Sequence, residues 1–317
     1  MCEIRDFCNA DLPALARVWS EHWSAAQSPP PISATIIERA ILSRAFFSPR
    51  ELMVAAVDGQ VEAWCHFCRP GVGGDQWSGQ AEDDVAFLMA ICFTQSGLQH
   101  CDQLLSAVQE LIRKQNCHRI MAGPILDHQC GYVGLEPIVH GIGIPYVDVR
   151  ASSLLSRHGF SPEASFQRML VTTAPYKPPV NREMMQFRRT TRAERSAVVP
   201  QQGRYASAMA HLDIEHHQLI NHRTGERLAN VRLWLSDPEA QVMNCSEAIL
   251  DLSVTESPTE LNSAETFLVA ALTQTMATRC VFRVETSIDA DHSVLREQLT
   301  ALSFENVGCG RRWQKDL

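Results

Sequence analysis

The chain has 317 residues with a formal net charge of −8, and 45% of its residues are hydrophobic and 20% charged. That length suffices for two domains that each bury a core, and the composition excludes a disordered or fibrous chain. The acidic balance excludes a general nucleic-acid binder, which needs a basic face for phosphates.

In chain order, Cys2–Phe7 is a short alternating strand, and Asn9 can cap the helix that follows. Leu12, Leu15, Ala16, Trp19 and Trp23 recur at helical spacing. Pro29–Pro31 break the chain before a second periodic stretch, Thr35–Phe47. Leu52–Val57 and Val61–Phe67 flank Asp58-Gly59, a two-residue hairpin signal. Asp84–Phe93 is a nearly continuous apolar run suited to a buried central strand. Cys101, Leu104, Leu105, Val108, Leu111 and Ile112 make one helical face, with Asn116 as a left-handed stop. Arg119–Ile125 is a further strand; a short helix ends at His158-Gly159-Phe160, and a strand follows at Ser165–Thr172.

The order then restarts. Gln186–Arg189 alternates as a strand, and Thr191-Arg192-Ala193-Glu194 is a capping-box pattern that predicts a helix start. The basic run Arg188, Arg189, Arg192 and Arg195 reads as part of that solvated helix start. Leu219–His222 and Arg227–Trp234 form a second hairpin, Glu247–Val254 an apolar strand, and Ser263–Ala277 a helix. Cys280–Thr286, Asp291–Leu302 and Val307–Trp313 complete the pattern as strand, helix and strand. The same order on both sides of a segment rich in proline (Pro175, Pro178, Pro179) predicts two diverged copies of one mixed α/β module, a mixed sheet flanked by helices. The expected boundaries are 1–172 for the first copy, 173–185 for the linker and 186–317 for the second.

Two segments carry a family resemblance. Met89-Ala90-Ile91-Cys92-Phe93-Thr94-Gln95-Ser96-Gly97-Leu98-Gln99-His100-Cys101, followed by Leu104-Leu105, has the strand, tight loop and helix of a nucleotide-cofactor segment. Leu154-Leu155-Ser156-Arg157-His158-Gly159-Phe160 is a late helix ending in Gly-Phe. With the element order, these resemble the GCN5-related N-acetyltransferase superfamily, specifically its tandem-domain members. A helix N-terminus offers unpaired amides and a positive dipole end, on which a pyrophosphate is held without a basic side chain.

The resemblance implies an acetyltransferase that moves an acetyl group from acetyl-CoA to a small-molecule or peptide amine. The neutral amine attacks directly, with a backbone N–H near Ile91 polarising the carbonyl. In the first copy the matching donor residues are Ile91, Cys92, Phe93, Ser96, Gly97, Leu98, Gln99, His100 and Cys101; some tandem members use the other copy, and the loop charges below favour the first. Departures from the pattern stand in both copies. Ser96, Gln99 and Cys101 occupy the usual Arg/Gln, Gly and Gly/Ala positions; Thr259, Asn262 and Ala264 do so in the second copy, and leucines (Leu155, Leu299) replace the proton-donating tyrosine. The second loop carries Glu256 and Glu260, which would repel a pyrophosphate, whereas Cys92–Cys101 contains no acid. The alternative is a non-catalytic acyl-CoA-binding, regulatory or scaffold protein with the same fold.

The long segment Gly123–Val149 holds Asp127, His128, Tyr132, Glu136, His140, Tyr146 and Asp148. By resemblance it lies beside the acceptor groove and can supply a base, with His128 and Tyr132 as the catalytic candidates; an ordered packing loop is the other reading. Cys65-His66-Phe67-Cys68 and the histidines His211, His216, His217 and His222 read as structural, and no metal is expected. Gly141-Ile142-Gly143 lacks the strand-to-helix context of a nucleotide fingerprint. An apolar membrane span and an export signal are both missing, and the 11 cysteines are irregularly spaced, so a cytoplasmic protein with reduced thiols is expected. Neither nucleic acid nor membrane is expected as a partner, and a homodimer is left open.

Overall fold

The structure, a computed structural model, describes residues 2–25, 32–45, 47–69, 84–125, 132–135, 141–199 and 203–317, and the side chains of 203–205 are not described. The first elements are β1 (Cys2–Asp6), α1 (Leu12–Ala25), α2 (Ala34–Ile37), β2 (Leu52–Val57), β3 (Gln60–Cys68), β4 (Val85–Phe93), α3 (Cys101–Lys114), β5 (Arg119–Ala122), β6 (Ile144–Pro145), α4 (Val149–Arg157) and β7 (Ser161–Thr172). Then follow α5 (Arg182–Thr190), β8 (Thr191–Val198), α6 (Gly203–Ala208), β9 (Leu212–Asn221), β10 (Arg227–Ser236), β11 (Glu247–Asp251), α7 (Ser263–Met276), β12 (Arg283–Asp289), α8 (Ser293–Ala301) and β13 (Glu305–Asp316). Among the described residues no helix is long and apolar enough to cross a membrane.

The chain divides into two compact units. The first takes Met1–Ser165, Pro200–Ala210 and Gly310–Leu317; the second takes Phe166–Val199 and His211–Cys309. Phe166–Thr172, expected with the first copy, thus lies in the second unit, where it pairs with β12. Gly310–Leu317, expected with the second copy, lies in the first, where Trp313–Asp316 pairs with β5.

In the first unit the hydrogen-bonded order is β1-β2-β3-β4-β5-β13, and only β4 and β5 run parallel. The β2–β3 hairpin turns where its sequence predicts, with Asp58 and Gly59 at φ 50° and 82°. Every residue of β4 is buried, as a strand covered on both faces requires. Leu104, Leu105, Val108 and Ile112 of α3 pack into the same core as Ala86, Leu88, Ile91 and Phe93. The helix stops before Asn116, at φ 62°. Cys65, Cys92 and Cys101 are buried thiols, and desolvation pushes Cys101 up to about 12, so they pack as small apolar groups.

The second unit repeats the plan as β7-β12-β11-β10-β9-β8, with β11 and β12 the parallel pair. Its core gathers Leu268, Val269 and Leu272 of α7 with Val231, Leu233, Ala248 and Leu250. Local pattern misleads at its start. The expected strand Gln186–Arg189 lies in helix α5, and the expected helix start at Thr191 opens strand β8. Asn181 caps α5 by accepting from the Met184 amide at 2.8 Å, which starts the helix earlier. Thr191 instead donates to the Phe187 carbonyl at the end of that helix, and from there β8 pairs with β9 from Thr191↔Asn221 to Val198↔Ile214. A full ladder of backbone hydrogen bonds outweighs a four-residue capping pattern.

Candidate functional site

In the first unit the parallel β4–β5 pair opens part-way along. Its register runs from Val85↔Arg119 to Leu88↔Ala122, and the Gly123 amide then donates to the Leu88 carbonyl at 3.0 Å. On the other edge of β4, Ala90 faces His66 but Leu88 faces Phe67, so Met89 is an extra, bulged residue. A bulge bends its strand, and past it β4 runs on through Phe93, beyond the end of its paired register with β5. Amides alternate in direction along a strand. Thr94 N–H donates to Glu62 O of β3 at 3.0 Å, so the amides of Phe93 and Ile91 face the opened side.

The Phe93 amide meets His22 there, donating to Nδ1 at 3.4 Å. His22 projects from α1 and is fully buried, and its Nε2 lies 2.9 Å from Asp148 Oδ2. Because Nδ1 accepts from an amide, Nε2 carries the proton and donates it to the carboxylate. Asp148 is itself buried and accepts from the Ala151 amide at 3.1 Å, capping α4. The imidazole stands edge-on to the rings of Trp23 and Phe93, at 4.8 and 4.6 Å.

Beyond β4 the loop turns back on its own groups. Gly97 N–H donates to Thr94 Oγ1 (2.9 Å) and Leu98 N–H to Thr94 O (3.2 Å). Glu62 reaches over from β3 and accepts from Thr94 Oγ1 (2.5 Å) and Ser96 Oγ (2.7 Å), with Arg17 3.3 Å away. Partial burial opposes ionisation of Glu62, but these hydrogen bonds and the Arg17 charge hold it below the usual carboxylate range. A segment without an acid in its own sequence therefore has one in space. At the entry to α3 no side chain caps the helix, and Asp102 in its first turn pairs with Arg157 (3.1 Å) and His158 (3.0 Å).

The matching place in the second unit is built differently. Strands β10 and β11 pair residue for residue from Arg232↔Asp251 to Leu235↔Ala248, without a bulge. Asn262 Oδ1 accepts from Glu265 N–H (2.9 Å), while Glu265 returns its carboxylate to the amides of Asn262 (2.9 Å) and Glu256 (2.8 Å). Glu265 is buried, so this helix N-terminus already holds an anion of its own.

The predicted donor residues fall into two groups. Ile91, Cys92, Phe93, Gly97 and Cys101 are buried, whereas Ser96 and Gln99 are exposed and Leu98 and His100 are intermediate. The Cys101 thiol donates to the Gly97 carbonyl at 3.4 Å. Of the catalytic candidates, His128 lies outside the described residues, as do Asp127, Glu136 and His140. Tyr132 is buried, with its hydroxyl 2.7 Å from His66 Nδ1 and its ring stacked on Trp19 at 6.3 Å. Sequence reasoning missed His22 and Glu62. His22 stands one turn after Trp19 on the apolar face of α1, and a titratable residue on a core stripe was the available signal. His216 and His217 lie on β9 beside Asn230 and Glu215, at 3.1 and 3.0 Å.

No family model matches the sequence, and no curated protein matches it by sequence. Solved structures do match. A tandem GNAT protein from the clavulanic acid biosynthesis pathway superposes with a TM-score of 0.66 at 13% identity, over 100% of this chain and 98% of that one. A GCN5-related N-acetyltransferase from Sphaerobacter thermophilus gives 0.65 at 12% identity, over 99% and 95%. A GCN5-related glucosamine N-acetyltransferase region of a fungal multi-domain β-N-acetylglucosaminidase gives 0.68 at 12% identity, over 99% of this chain and 38% of that one. With the mixed sheet, the repeated element order and full-length superposition, this chain has the tandem GCN5-related N-acetyltransferase fold.

Proposed function

We propose that the first unit is an acyltransferase that takes an acetyl group from acetyl-CoA and gives it to an amine, while the second unit carries no donor site. One observation carries this reading. In the first unit β4 bulges at Met89 and turns the Ile91 and Phe93 amides toward the opened side, the Phe93 amide onto His22, before a helix that no side chain caps; in the second unit the strand is regular and Glu265 fills the helix entry. An opened strand accepts the extended arm of an acyl-CoA as a further strand accepts its neighbour, by backbone hydrogen bonds. The entry to α3 lies next in the chain, without a side-chain anion of the kind Glu265 supplies in the second unit.

Calorimetry with acetyl-CoA, followed by thiol release in the presence of small amines, amino sugars and peptide N-termini, tests this reading. Binding with turnover on one acceptor class is expected. Failure to bind at millimolar concentration would overturn it. A non-catalytic acyl-CoA-binding role is favoured by a separate observation: the Glu62 carboxylate reaches from β3 onto the loop, and the Gly97 and Leu98 amides are already bonded within it. Binding without turnover on any acceptor would select that role.

A further inference from the structure

We propose that His22 is the general base of acyl transfer in the first unit, with Nδ1 as the proton-accepting atom and Asp148 as the carboxylate that orients it. This rests on the first unit being the acyltransferase. Nδ1 lies 3.4 Å from the Phe93 amide, on the side where β4 is opened. It therefore adjoins the strand edge along which a bound thioester would lie. The Phe93 donor fixes Nδ1 as the basic nitrogen and directs the Nε2 proton to Asp148, 2.9 Å away. A buried carboxylate in that position holds one ring orientation and compensates the charge the ring acquires on accepting a proton.

Among the described residues, Arg150 and Cys92 are the other charged or titratable side chains beside His22 and Asp148. Arg150 donates to the His22 carbonyl at 2.8 Å and lies over the Phe93 ring at 5.0 Å. Burial keeps the Cys92 thiol protonated. A purely structural role explains the pair poorly. A leucine on the apolar face of α1 would pack there without burying a polar pair, which costs desolvation unless something is gained.

The step balances within this set of groups. The amine nitrogen forms a bond to the thioester carbonyl carbon as Nδ1 takes one of its protons. The carbon–sulfur bond breaks, and the same imidazolium returns that proton to the departing thiolate. The Phe93 amide, bonded to Nδ1 only at 3.4 Å, is released in the process to donate to the carbonyl oxygen.

The test combines two variants with a measurement that needs no acceptor. Nitrogen NMR of the wild-type imidazoles is expected to show His22 neutral and protonated at Nε2, with its Nδ1 resonance moving when acetyl-CoA is added. His22→Gln is expected to retain acetyl-CoA affinity by calorimetry while kcat falls about 10²-fold or more. Asp148→Asn, whose single oxygen can serve either the α4 cap or Nε2, is expected to move the acid limb of the rate–pH profile to lower pH, since the imidazolium loses its counter-charge. Circular dichroism reports whether each variant folds. An unchanged acid limb in Asp148→Asn, or a wild-type Nδ1 resonance indifferent to bound acetyl-CoA, would overturn the assignment while leaving the acyltransferase reading intact. Acetyl-CoA binding that appears only in His22→Gln would make His22 a plug and overturn it too. Absence of acetyl-CoA binding in every form would remove the acyltransferase reading, and this assignment with it.

Discussion

Ser96 donates its hydroxyl proton to Glu62 at 2.7 Å, tying the loop after β4 to the neighbouring strand β3 and placing a carboxylate against that loop. The contact fixes the loop and penalises an anionic ligand at once. Glu62→Gln keeps an oxygen that accepts from the loop hydroxyls but removes the charge. Acetyl-CoA affinity is therefore expected to rise about two- to fivefold at low salt, with the gain shrinking as salt screens it. Glu62 is held below the usual carboxylate range, so its charge persists across neutral pH. Wild type and variant should converge only as pH falls through that lowered value. Calorimetry at two salt concentrations and two pH values checks this, and equal affinities at neutral pH and low salt would refute it.

Gly97 sits where the loop meets β3 most closely. A Cβ built there would lie 2.0 Å from the Glu62 carbonyl oxygen, a contact that backbone cannot relieve by rotating a side chain. Gly97→Ala is expected to destabilise the first unit by about 1–3 kcal/mol, as overpacking does. Trp19, Trp23 and Trp64 all report on that unit, so the denaturant midpoint of their fluorescence measures the loss. An unchanged midpoint would mean that the loop stands away from β3 in solution.

Much of this fold was legible because hydrophobic period and turn chemistry act locally. Asp58-Gly59, the apolar run of β4, the stripe of α3 and the Gly159 stop after α4 each announce their element. The failure at Thr191 has the opposite cause: a local helix signal lost to ladder hydrogen bonds with β9, which no window of sequence contains. The exchange of Phe166–Thr172 and Gly310–Leu317 between the units is hidden for the same reason. At the site, the strand and loop after Met89 were readable, but the bulge depends on register with β3. Glu62 is 34 residues from Ser96 and His22 is 126 from Asp148, so neither pairing leaves a trace in spacing.

On β9, His217 donates to Glu215 at 3.0 Å, and Glu215 also binds Arg279 at 2.8 Å. Burial is the main influence on His217 and lowers its pKa, more than the Glu215 charge raises it. With a folded value below the unfolded one, the unfolded chain takes up the proton first as pH falls. The stability of the second unit is thus full above the ordinary imidazole range and declines as pH drops through it toward the lowered value. His217→Asn is expected to flatten that decline between about pH 7 and 5. Thermal melts across that range check it, and parallel curves for variant and wild type would refute it.

Glu265 gives the sharpest contrast between the two units. Its carboxylate accepts from the Asn262 and Glu256 amides at the entry to α7, and it is 1% exposed. Glu265→Ala strands both donors and empties the space around them. The cost is expected to be about 2–4 kcal/mol to the second unit, from a lost cap and buried unpaired amides. Glu265→Gln keeps one acceptor and should cost less, about 1 kcal/mol, mostly the charge–dipole contribution at the helix end. Neither change should alter acetyl-CoA affinity if the donor site belongs to the first unit. Calorimetry beside thermal unfolding separates the two effects. If instead Glu265→Gln tightens acetyl-CoA binding, this carboxylate occupies a phosphate position in a working site, and the second unit is the donor-binding one.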